Sequence, residues 1–206
     1  EQNLPNSLGK FYATFTELLG YKSDNDEWKV MAMSAYPYSC KEEIKKIQKC
    51  YNLTKNGKLE LTSKYFEFSN FGNRNNFYTN DLKDLFGIKK IEYKKKPSIQ
   101  QIKIAKALQI CSEEIGFHFL RHLYNLTKQR NLVLSGGFFL NTVFNGKITT
   151  TRTKALVRLM NNHLFCIESA VFGLDSPGAF RFRLNRILNK WCLVWIVIRI
   201  APPKKS

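Results

Sequence analysis

Cysteine and long apolar runs are both scarce in this chain of 206 residues. The five cysteines form no CxxC pair, which excludes a disulfide framework and a structural zinc finger and favours a reducing compartment. The longest apolar run is the eight residues from Trp191 to Ile198, far below the roughly 18 that a membrane-spanning helix requires. We therefore expect a cytoplasmic protein with no membrane partner.

The N-terminus lacks an initiator methionine, a basic segment and an apolar segment. The last two absences predict that no secretory signal peptide is present. A mass of 24.0 kDa is enough for one ordinary domain or for a large piece of a bigger one. The abrupt start favours the second of these, and we expect a fragment.

Acidic residues are few: 16 against 33 basic ones, for a net charge of +17. Residues 1–148 hold 23 basic and 14 acidic residues, and their basic residues are mostly lysine; residues 149–206 hold 10 basic and 2 acidic, and arginine predominates. Phosphate and base recognition prefers arginine interleaved with aromatic residues, whereas the only dense basic run is the lysine-rich segment 89–96. We expect no nucleic-acid partner, although a basic nucleic-acid-binding protein remains an alternative.

Apolar spacing predicts two clear helices. One covers residues 7–20 and ends at Gly20, and a long one over 98–127 follows the capping-box pattern Ser98-x-x-Gln101. Between them the pattern favours a short charged helix over 41–50, a strand over 57–61 and a helix over 81–86 that ends at Gly87. The mixture predicts an α/β chain.

A doubled glycine follows a predicted buried strand over residues 131–134. The segment Ser135-Gly136-Gly137 leads into an apolar run, 138–144, that we expect to be helical and to stop at Asn145-Gly146. A strand, two glycines and a helix together present backbone N–H groups to a phosphate. Asn141, one turn into the expected helix, would offer its amide to a ribose or phosphate oxygen. On the pattern alone, a tight turn without a ligand stays open.

Three stretches of the chain resemble one enzyme family. Residues 5–20, PNSLGKFYATFTELLG, are similar to P-x-S-L-G-x-x-Y-x-x-F-T-x-x-L-G, and residues 27–32, EWKVMA, to E-Y-K-L/V-M-G. Residues 131–148, NLVLSGGFFLNTVFNGKI, are similar to N-L-x-L-A/S-G-G-V-A-L-N-x-x-x-N-G-K-I/L. These motifs resemble the carbamoyltransferases that include nodulation-factor and antibiotic O-carbamoyltransferases. The resemblance covers about residues 4–148.

The resemblance implies a partial actin-like ATPase, or ribonuclease H-like (ASKHA), fold over residues 1–148. It also implies transfer of a carbamoyl group from carbamoyl-adenylate to a small-molecule hydroxyl, with ATP and carbamoyl phosphate as substrates of the parent enzyme. A divalent metal of the iron or manganese type would polarise the carbamoyl carbonyl. No catalytic residue is assigned. Carried over by position, the nucleotide-binding residues would be Ser135, Gly136, Gly137, Asn141, Lys29 and Ser7.

The chain also departs from the family pattern. The family's metal ligands come from an upstream H-H-x-x-H-A motif and a downstream G-D-A-G motif, and this sequence contains neither. The nearest counterpart of the second motif is segment 173–179, which contains Asp175. We therefore expect no metal site in this chain, and an inactive nucleotide-binding or interaction module is the alternative function. The tail, 149–206, does not resemble the family and is either frame-shifted or foreign sequence, or a divergent helical extension.

Other candidate groups give weaker evidence for a functional site. His118 and His122 have the i, i+4 spacing of a metal pair, but no glutamate follows the first histidine, so the motif is not HExxH. We expect ordinary solvated or packed histidines. Glu113 and Glu114 are adjacent on the long predicted helix and should face different directions, which excludes a paired-carboxylate acid/base site. No cysteine lies in a recognisable nucleophile context.

Overall fold

The computed structural model describes residues 3–68, 76–88, 96–128, 132–150, 157–159 and 195–197. The chain divides into two compact units, Glu1–Leu126 and Thr127–Ser206. The described residues form a mixed α/β structure, as predicted. The helices are α1 (Leu8–Leu18), α2 (Glu27–Met33), α3 (Lys41–Gln48), α4 (Asn80–Phe86), α5 (Ile99–Thr127) and α6 (Thr142–Thr150), and the strands are β1 (Tyr51–Leu53), β2 (Leu59–Leu61), β3 (Leu132–Ser135), β4 (Val157–Leu159) and β5 (Trp195–Val197).

Local hydrogen bonds define both ends of α1. The Ser7 hydroxyl oxygen accepts the Lys10 N–H at 3.3 Å and caps the first turn. At the other end Gly20 has φ 85°, and the N–H groups of Gly20 and Tyr21 donate to carbonyls of the last turn. This pair of bonds is the Schellman arrangement, which needs a residue tolerant of positive φ. The predicted helix over residues 7–20 and the role of Gly20 are confirmed.

The long helix α5 begins at the predicted capping box. The Gln101 N–H donates to the Ser98 hydroxyl at 3.2 Å, and the Ser98 N–H donates to the Gln101 side-chain oxygen at 2.8 Å. The Gln101 amide also donates to the Leu19 carbonyl at 3.1 Å, which joins the start of α5 to the end of α1. The predicted helix over 98–127 is confirmed.

Aromatic side chains fill the core of the first unit. The ring of Phe11 lies 5.2 Å from Phe15 and 5.6 Å from Tyr51, and Phe15 lies 5.8 Å from Phe86, all in edge-to-face geometry. Such pairs add about 0.5–1.5 kcal/mol each beyond the area that they bury. The α1 helix therefore packs against β1 and α4 through its aromatic face.

An antiparallel hairpin joins β1 and β2, with Tyr51 opposite Leu61. The strand predicted over 57–61 is present as β2, but its partner β1 was not predicted. Gly57 lies in the connecting turn with φ 70°. The turn packs on α5, where the ring nitrogen Nε2 of His118 lies 2.9 Å from the Thr54 carbonyl oxygen. The expectation of a packed histidine is confirmed for His118.

In the second unit, β3 pairs with β4 in parallel and with β5 antiparallel. The strand predicted over 131–134 is present as β3, but of the helix predicted over 138–144 only residues 142–144 are α-helical, at the start of α6. Residues Gly137–Leu140 form a 3-10 turn, and α6 runs through Asn145 and Gly146 instead of stopping there. Gly146 does not take the positive φ that a terminating glycine requires, so the Asn-Gly pair continues the helix.

Within the described residues, no helix combines the length and the hydropathy needed to cross a membrane.

The hairpin turn gives a matched pair of glycine substitutions. A Cβ at Gly57 would run into the His122 side chain, whereas a Cβ at Gly87, which also has positive φ, meets nothing within 4 Å. Positive φ costs a residue with a Cβ about 1–2 kcal/mol. Gly87→Ala should show that cost alone, and Gly57→Ala should lower the free energy of unfolding by more, measured by urea titration.

The double variant Gly57→Ala/His122→Ala is the control for the steric part of the effect. It should recover part of the difference between the two glycine variants, because the obstructing ring is gone while the Cβ of residue 122, 2.6 Å from the added Cβ, remains. Equal losses for Gly57→Ala and Gly87→Ala would contradict the packing of the turn on α5.

Candidate functional site

The backbone at Gly136 takes a conformation that other residues avoid. With φ 112° and ψ 165°, it lies in a region of backbone space that is essentially restricted to glycine. This conformation turns the chain from the end of β3 into the 3-10 turn, which the Phe139 N–H closes on the Gly136 carbonyl at 3.0 Å. Gly136 is therefore required by the backbone conformation of the loop, which a residue with a Cβ would adopt only with strain.

The start of this turn supplies hydrogen-bond donors. The N–H groups of the first residues of any helical turn have no acceptor within the turn itself, and here they belong to Gly137 and Phe138. Ser135 precedes them as the last residue of β3. The segment Ser135-Gly136-Gly137 therefore links the end of β3 to the 3-10 turn. Its position directly after a strand was predicted from the sequence.

Asn141 lies just before α6 and not one turn inside a helix. Its side-chain oxygen accepts the Phe144 N–H at 3.0 Å, and its carbonyl accepts the Asn145 N–H at 3.0 Å. This capping contact fixes the start of α6 directly behind the 3-10 turn. The predicted position was wrong because the apolar run 138–144 is split by the cap.

Asn145 lies in the first turn of α6, next to this loop, and was not singled out as a site residue. Its side-chain nitrogen donates to the Phe139 carbonyl at 2.7 Å, which ties α6 to the turn. Phe138 and Phe139 are buried and pack on Phe144, with ring centroids 5.4 and 6.2 Å from it. The second asparagine of the N-x-x-x-N spacing was the signal in the sequence.

The two remaining predicted site residues, Ser7 and Lys29, lie in the first unit. The Ser7 hydroxyl is the cap of α1, described above. The Lys29 ammonium pairs with the Asp26 carboxylate at 2.9 Å and lies 5.5 Å from the Trp28 ring centroid. Both side chains therefore have structural contacts in the first unit.

Asp26 organises the turn before α2. Its carboxylate accepts the Lys22 N–H at 3.2 Å and the Asn25 amide at 3.0 Å, in addition to the Lys29 pair. Burial acts to raise the pKa of Asp26, but the hydrogen bonds from Lys29 and Lys22 and the charge of Lys29 outweigh it, and the pKa lies below its usual value. The carboxylate is held ionised.

Lys10 is a buried charge that the sequence analysis missed. It is 4% exposed, and its ammonium pairs with the Asp24 carboxylate at 3.1 Å and lies 4.6 Å from the Phe77 ring centroid. Asp24 takes φ 61°, an uncommon value for a residue other than glycine. The Lys10–Asp24 pair thus connects α1 to the turn before α2.

A buried polar chain runs from α1 to α5. The Tyr12 hydroxyl donates to Gln109 at 3.2 Å, and the Gln109 amide donates to Glu113 at 2.8 Å. Burial raises the pKa of Tyr12 well above its usual range, and the charges of Glu27 and Glu113 add to the effect. Tyr12 of the first motif and Glu27 of the second therefore act on each other electrostatically.

Burial also raises the pKa of Glu27. Its carboxylate oxygen accepts the Asp24 N–H at 2.7 Å. On α5, Glu113 contacts Gln109 while Glu114 accepts the Tyr51 hydroxyl at 3.0 Å. The two adjacent glutamates face different partners, which confirms the prediction that they do not form a pair.

Neither the cysteines nor a metal cluster provides a reactive centre in the described part of the chain. Burial raises the pKa of the Cys50 and Cys111 thiols to about 12, which keeps them protonated and unreactive. In the same residues, no group of three or more histidine, cysteine, aspartate or glutamate side chains is placed to hold a metal ion. Asp175 lies outside the described residues.

The Gly136 conformation predicts opposite effects for two alanine substitutions. Gly136→Ala should lower the free energy of unfolding by about 1–3 kcal/mol, because it forces a Cβ into a region that only glycine populates. Gly146→Ala should raise it by about 1 kcal/mol, because a Cβ there meets nothing within 4 Å inside a helix. Chemical unfolding of both variants checks this, and a neutral Gly136→Ala would contradict the loop geometry.

The Asp26 environment predicts a pH-dependent effect of Lys29. Lys29→Met should cost about 1–3 kcal/mol at pH 7, since it removes a charged hydrogen bond. A carboxyl whose folded pKa is lowered contributes stability above its unfolded pKa, about 3.9, and loses it as the pH falls through the folded pKa. The difference between variant and parent should therefore shrink as the pH is lowered below about 4 in urea titrations.

The exposed pair Lys45–Glu42, with side chains 71% and 76% exposed, is the matched control. Lys45→Met should change the stability little at either pH, because exposed ion pairs contribute about 0–1 kcal/mol. A Lys29→Met cost that does not change with pH would contradict the Asp26 assignment.

Comparison with known proteins places these motifs in a family. A family model described as the carbamoyltransferase N-terminus matches residues 1–156. An uncharacterized protein of Synechocystis is 28% identical over 149 residues, which cover 72% of this chain and 23% of that protein. An uncharacterized protein of Methanocaldococcus jannaschii is 28% identical over 173 residues, which cover 83% and 31%.

The chain therefore spans less than a third of the length of these curated relatives. The family match includes both loop glycines, both asparagines and the polar chain that starts at Tyr12. On this match, the chain belongs to the carbamoyltransferase N-terminal family.

Proposed function

We propose that this chain carries the glycine-loop half of the nucleotide site of an O-carbamoyltransferase. The parent enzyme would transfer a carbamoyl group from carbamoyl-adenylate to the hydroxyl of a small molecule. The observation that carries the proposal is the glycine-only conformation of Gly136 at the end of β3, within a sequence that belongs to the carbamoyltransferase family.

The loop has the donors that an adenylate phosphate needs. The N–H groups of Gly137 and Phe138 begin the 3-10 turn, and partial positive charge at such a position attracts phosphate oxygens. The absence of a Cβ at Gly136 and Gly137 allows close approach of the ligand to the backbone. Ser135 adds a hydroxyl at the end of the strand, and Asn141 and Asn145 keep the turn in place.

An actin-like ATPase fold would accommodate this arrangement. In such folds a nucleotide lies against glycine turns that follow strands, and here β3 runs directly into the loop with the parallel strand β4 beside it. Ser7 and Lys29 lie in the first unit, where they form the α1 cap and the Asp26 ion pair, and they are not part of this proposal.

The transfer itself would be a simple displacement. The acceptor hydroxyl oxygen would form a bond to the carbamoyl carbon, and the bond from that carbon to the adenylate phosphate oxygen would break. AMP would leave with the electron pair, and the hydroxyl proton would pass to a base. Loop N–H groups that hold the phosphate would stabilise the charge on the departing AMP.

A divalent metal would polarise the carbamoyl carbonyl in the intact enzyme. The described residues do not fit such an ion, because no cluster of metal-binding side chains is formed among them. No step is therefore assigned to a metal in this chain.

Binding of adenine nucleotides by the 206-residue chain tests the first half of the proposal. Calorimetric titration with ADP and ATP should show binding that weakens at least tenfold in Gly136→Ala, because strain at the loop displaces its N–H groups. Gly146→Ala is the control, because Gly146 lies in α6 of the same unit and not in the glycine loop. This variant should bind nucleotide like the parent. Absence of adenine-nucleotide binding in the parent chain would refute the proposal.

Carbamoyl transfer tests the second half. A longer polypeptide that adds both a segment carrying the family's H-H-x-x-H-A motif and the family's separate adenylate-forming domain should move labelled carbamoyl from carbamoyl phosphate to a hydroxyl acceptor when ATP and a divalent metal are supplied. Phosphate and pyrophosphate would be released as the adenylate forms, and AMP would be released at the transfer step. The 206-residue chain alone should not transfer carbamoyl. Nucleotide binding without transfer in the longer polypeptide would instead support an inactive nucleotide-binding module.

A further inference from the structure

Asn145 combines two unusual features in one side chain. It is 3% exposed, and its side-chain nitrogen is held by the Phe139 carbonyl at 2.7 Å. That contact fixes which way the amide is turned, since a carbonyl can only accept. The side-chain oxygen Oδ1 therefore points away from Phe139, and among the described residues it has no hydrogen-bond partner.

A buried acceptor without a donor is costly in a folded protein. Asn141, four residues earlier, shows the ordinary arrangement: it is also buried, at 8% exposed, but its Oδ1 accepts the Phe144 N–H at 3.0 Å. Asn141 lies just before α6 and Asn145 in its first turn, and only the Oδ1 of Asn141 accepts a hydrogen bond from a described residue. The Asn145 oxygen is thus oriented and buried, and no described residue donates a hydrogen bond to it.

The position of Asn145 links it to the glycine loop. The Gly136 carbonyl accepts the Phe139 N–H at 3.0 Å, and the Phe139 carbonyl accepts the Asn145 amide. Two hydrogen bonds therefore connect the glycine-only residue to Asn145. A ligand that settles on the loop lies next to a turn whose far end is held by this side chain.

We propose that Asn145 is a specificity-determining residue of the nucleotide site, with Oδ1 accepting a hydrogen from a donor group of the bound adenine nucleotide. The loop N–H groups recognise the phosphate, which only accepts, so they cannot distinguish one nucleoside from another. An oriented acceptor can distinguish nucleosides, because it accepts a hydrogen bond from a ligand hydroxyl or amino group. This inference rests on the proposed function, since it requires a nucleotide at the loop.

The test measures nucleotide affinity and asks whether a substitution at Asn145 changes the affinity lost when one donor group is removed from the ligand. The probes are ADP, 2′-deoxy-ADP, 3′-deoxy-ADP and inosine diphosphate, each of the last three lacking one donor of ADP. The parent chain should bind one of these three about tenfold more weakly than ADP, the size of one hydrogen bond lost from a buried acceptor. The analogue that loses affinity identifies the donor as a ribose hydroxyl or the adenine amino group.

The variant Asn145→Leu removes the acceptor at similar volume, and it should bind ADP and that analogue equally. Asn145→Asp keeps an acceptor oxygen but loses the amide that holds Phe139, so its overall affinity should fall while the preference for ADP persists. Thermal unfolding of both variants without nucleotide shows whether they fold. If Asn145→Leu does not fold, Asn145→Ala takes its place, because it also removes the acceptor: it should bind ADP and that analogue equally, and a kept preference in Asn145→Ala refutes the role of Asn145.

The outcomes separate this inference from the proposed function. If the parent binds ADP but shows no preference among the four nucleotides, or if Asn145→Leu keeps the parent's preference, the role of Asn145 is refuted and the nucleotide site stands. If the parent binds none of the four nucleotides, both the role of Asn145 and the proposed nucleotide site are refuted. A uniform loss of affinity in both variants, with no change in preference, assigns Asn145 to loop stability alone.

Discussion

The conformation of Gly136 is the constraint on which the candidate site depends. Its φ and ψ of 112° and 165° are open to glycine and closed to residues with a Cβ. They turn the chain from β3 into a short helical turn, so that donors gather at the end of the strand. Asn141 and Asn145 then bind this turn to α6. The loop is thus shaped before any ligand arrives, which lowers the cost of ordering it on binding.

The first unit is held together by an aromatic core and by buried polar groups that are paired with one another. An aromatic face of α1 packs on β1 and α4, while its polar residues Lys10 and Tyr12 are buried with partners from a turn and from α5. Buried charges and hydroxyls remain tolerable only when they are paired. Two family motifs, over residues 5–20 and 27–32, therefore meet in one network. Their resemblance to the family is explained in part by folding, because Ser7 and Lys29 hold the structure through a cap and an ion pair.

Much of the secondary structure could be predicted because the signals are local. The capping box at Ser98, the glycine endings of α1 and α4, and the helical spacing of α5 all involve residues within five positions of one another. The helix over 138–144 was predicted wrongly for the same reason: an apolar run carries no sign of the cap at Asn141 that divides it. The strand β1 was missed because three residues have little pattern before their partner is known.

The sequence by itself determined the ends of α1 and α4, the start of α5, the turn glycines Gly20 and Gly87, and the family to which the motifs belong. Only the tertiary structure decided that Lys10 pairs with Asp24, 14 positions away, and that Tyr12 bonds to Gln109, 97 positions away. It also decided that, among the described residues, the side-chain oxygen of Asn145 lacks a hydrogen-bond donor whereas that of Asn141 has one. The physical reason is that caps and turns depend on neighbouring backbone atoms, whereas burial and the pairing of polar groups depend on what the rest of the fold brings to them.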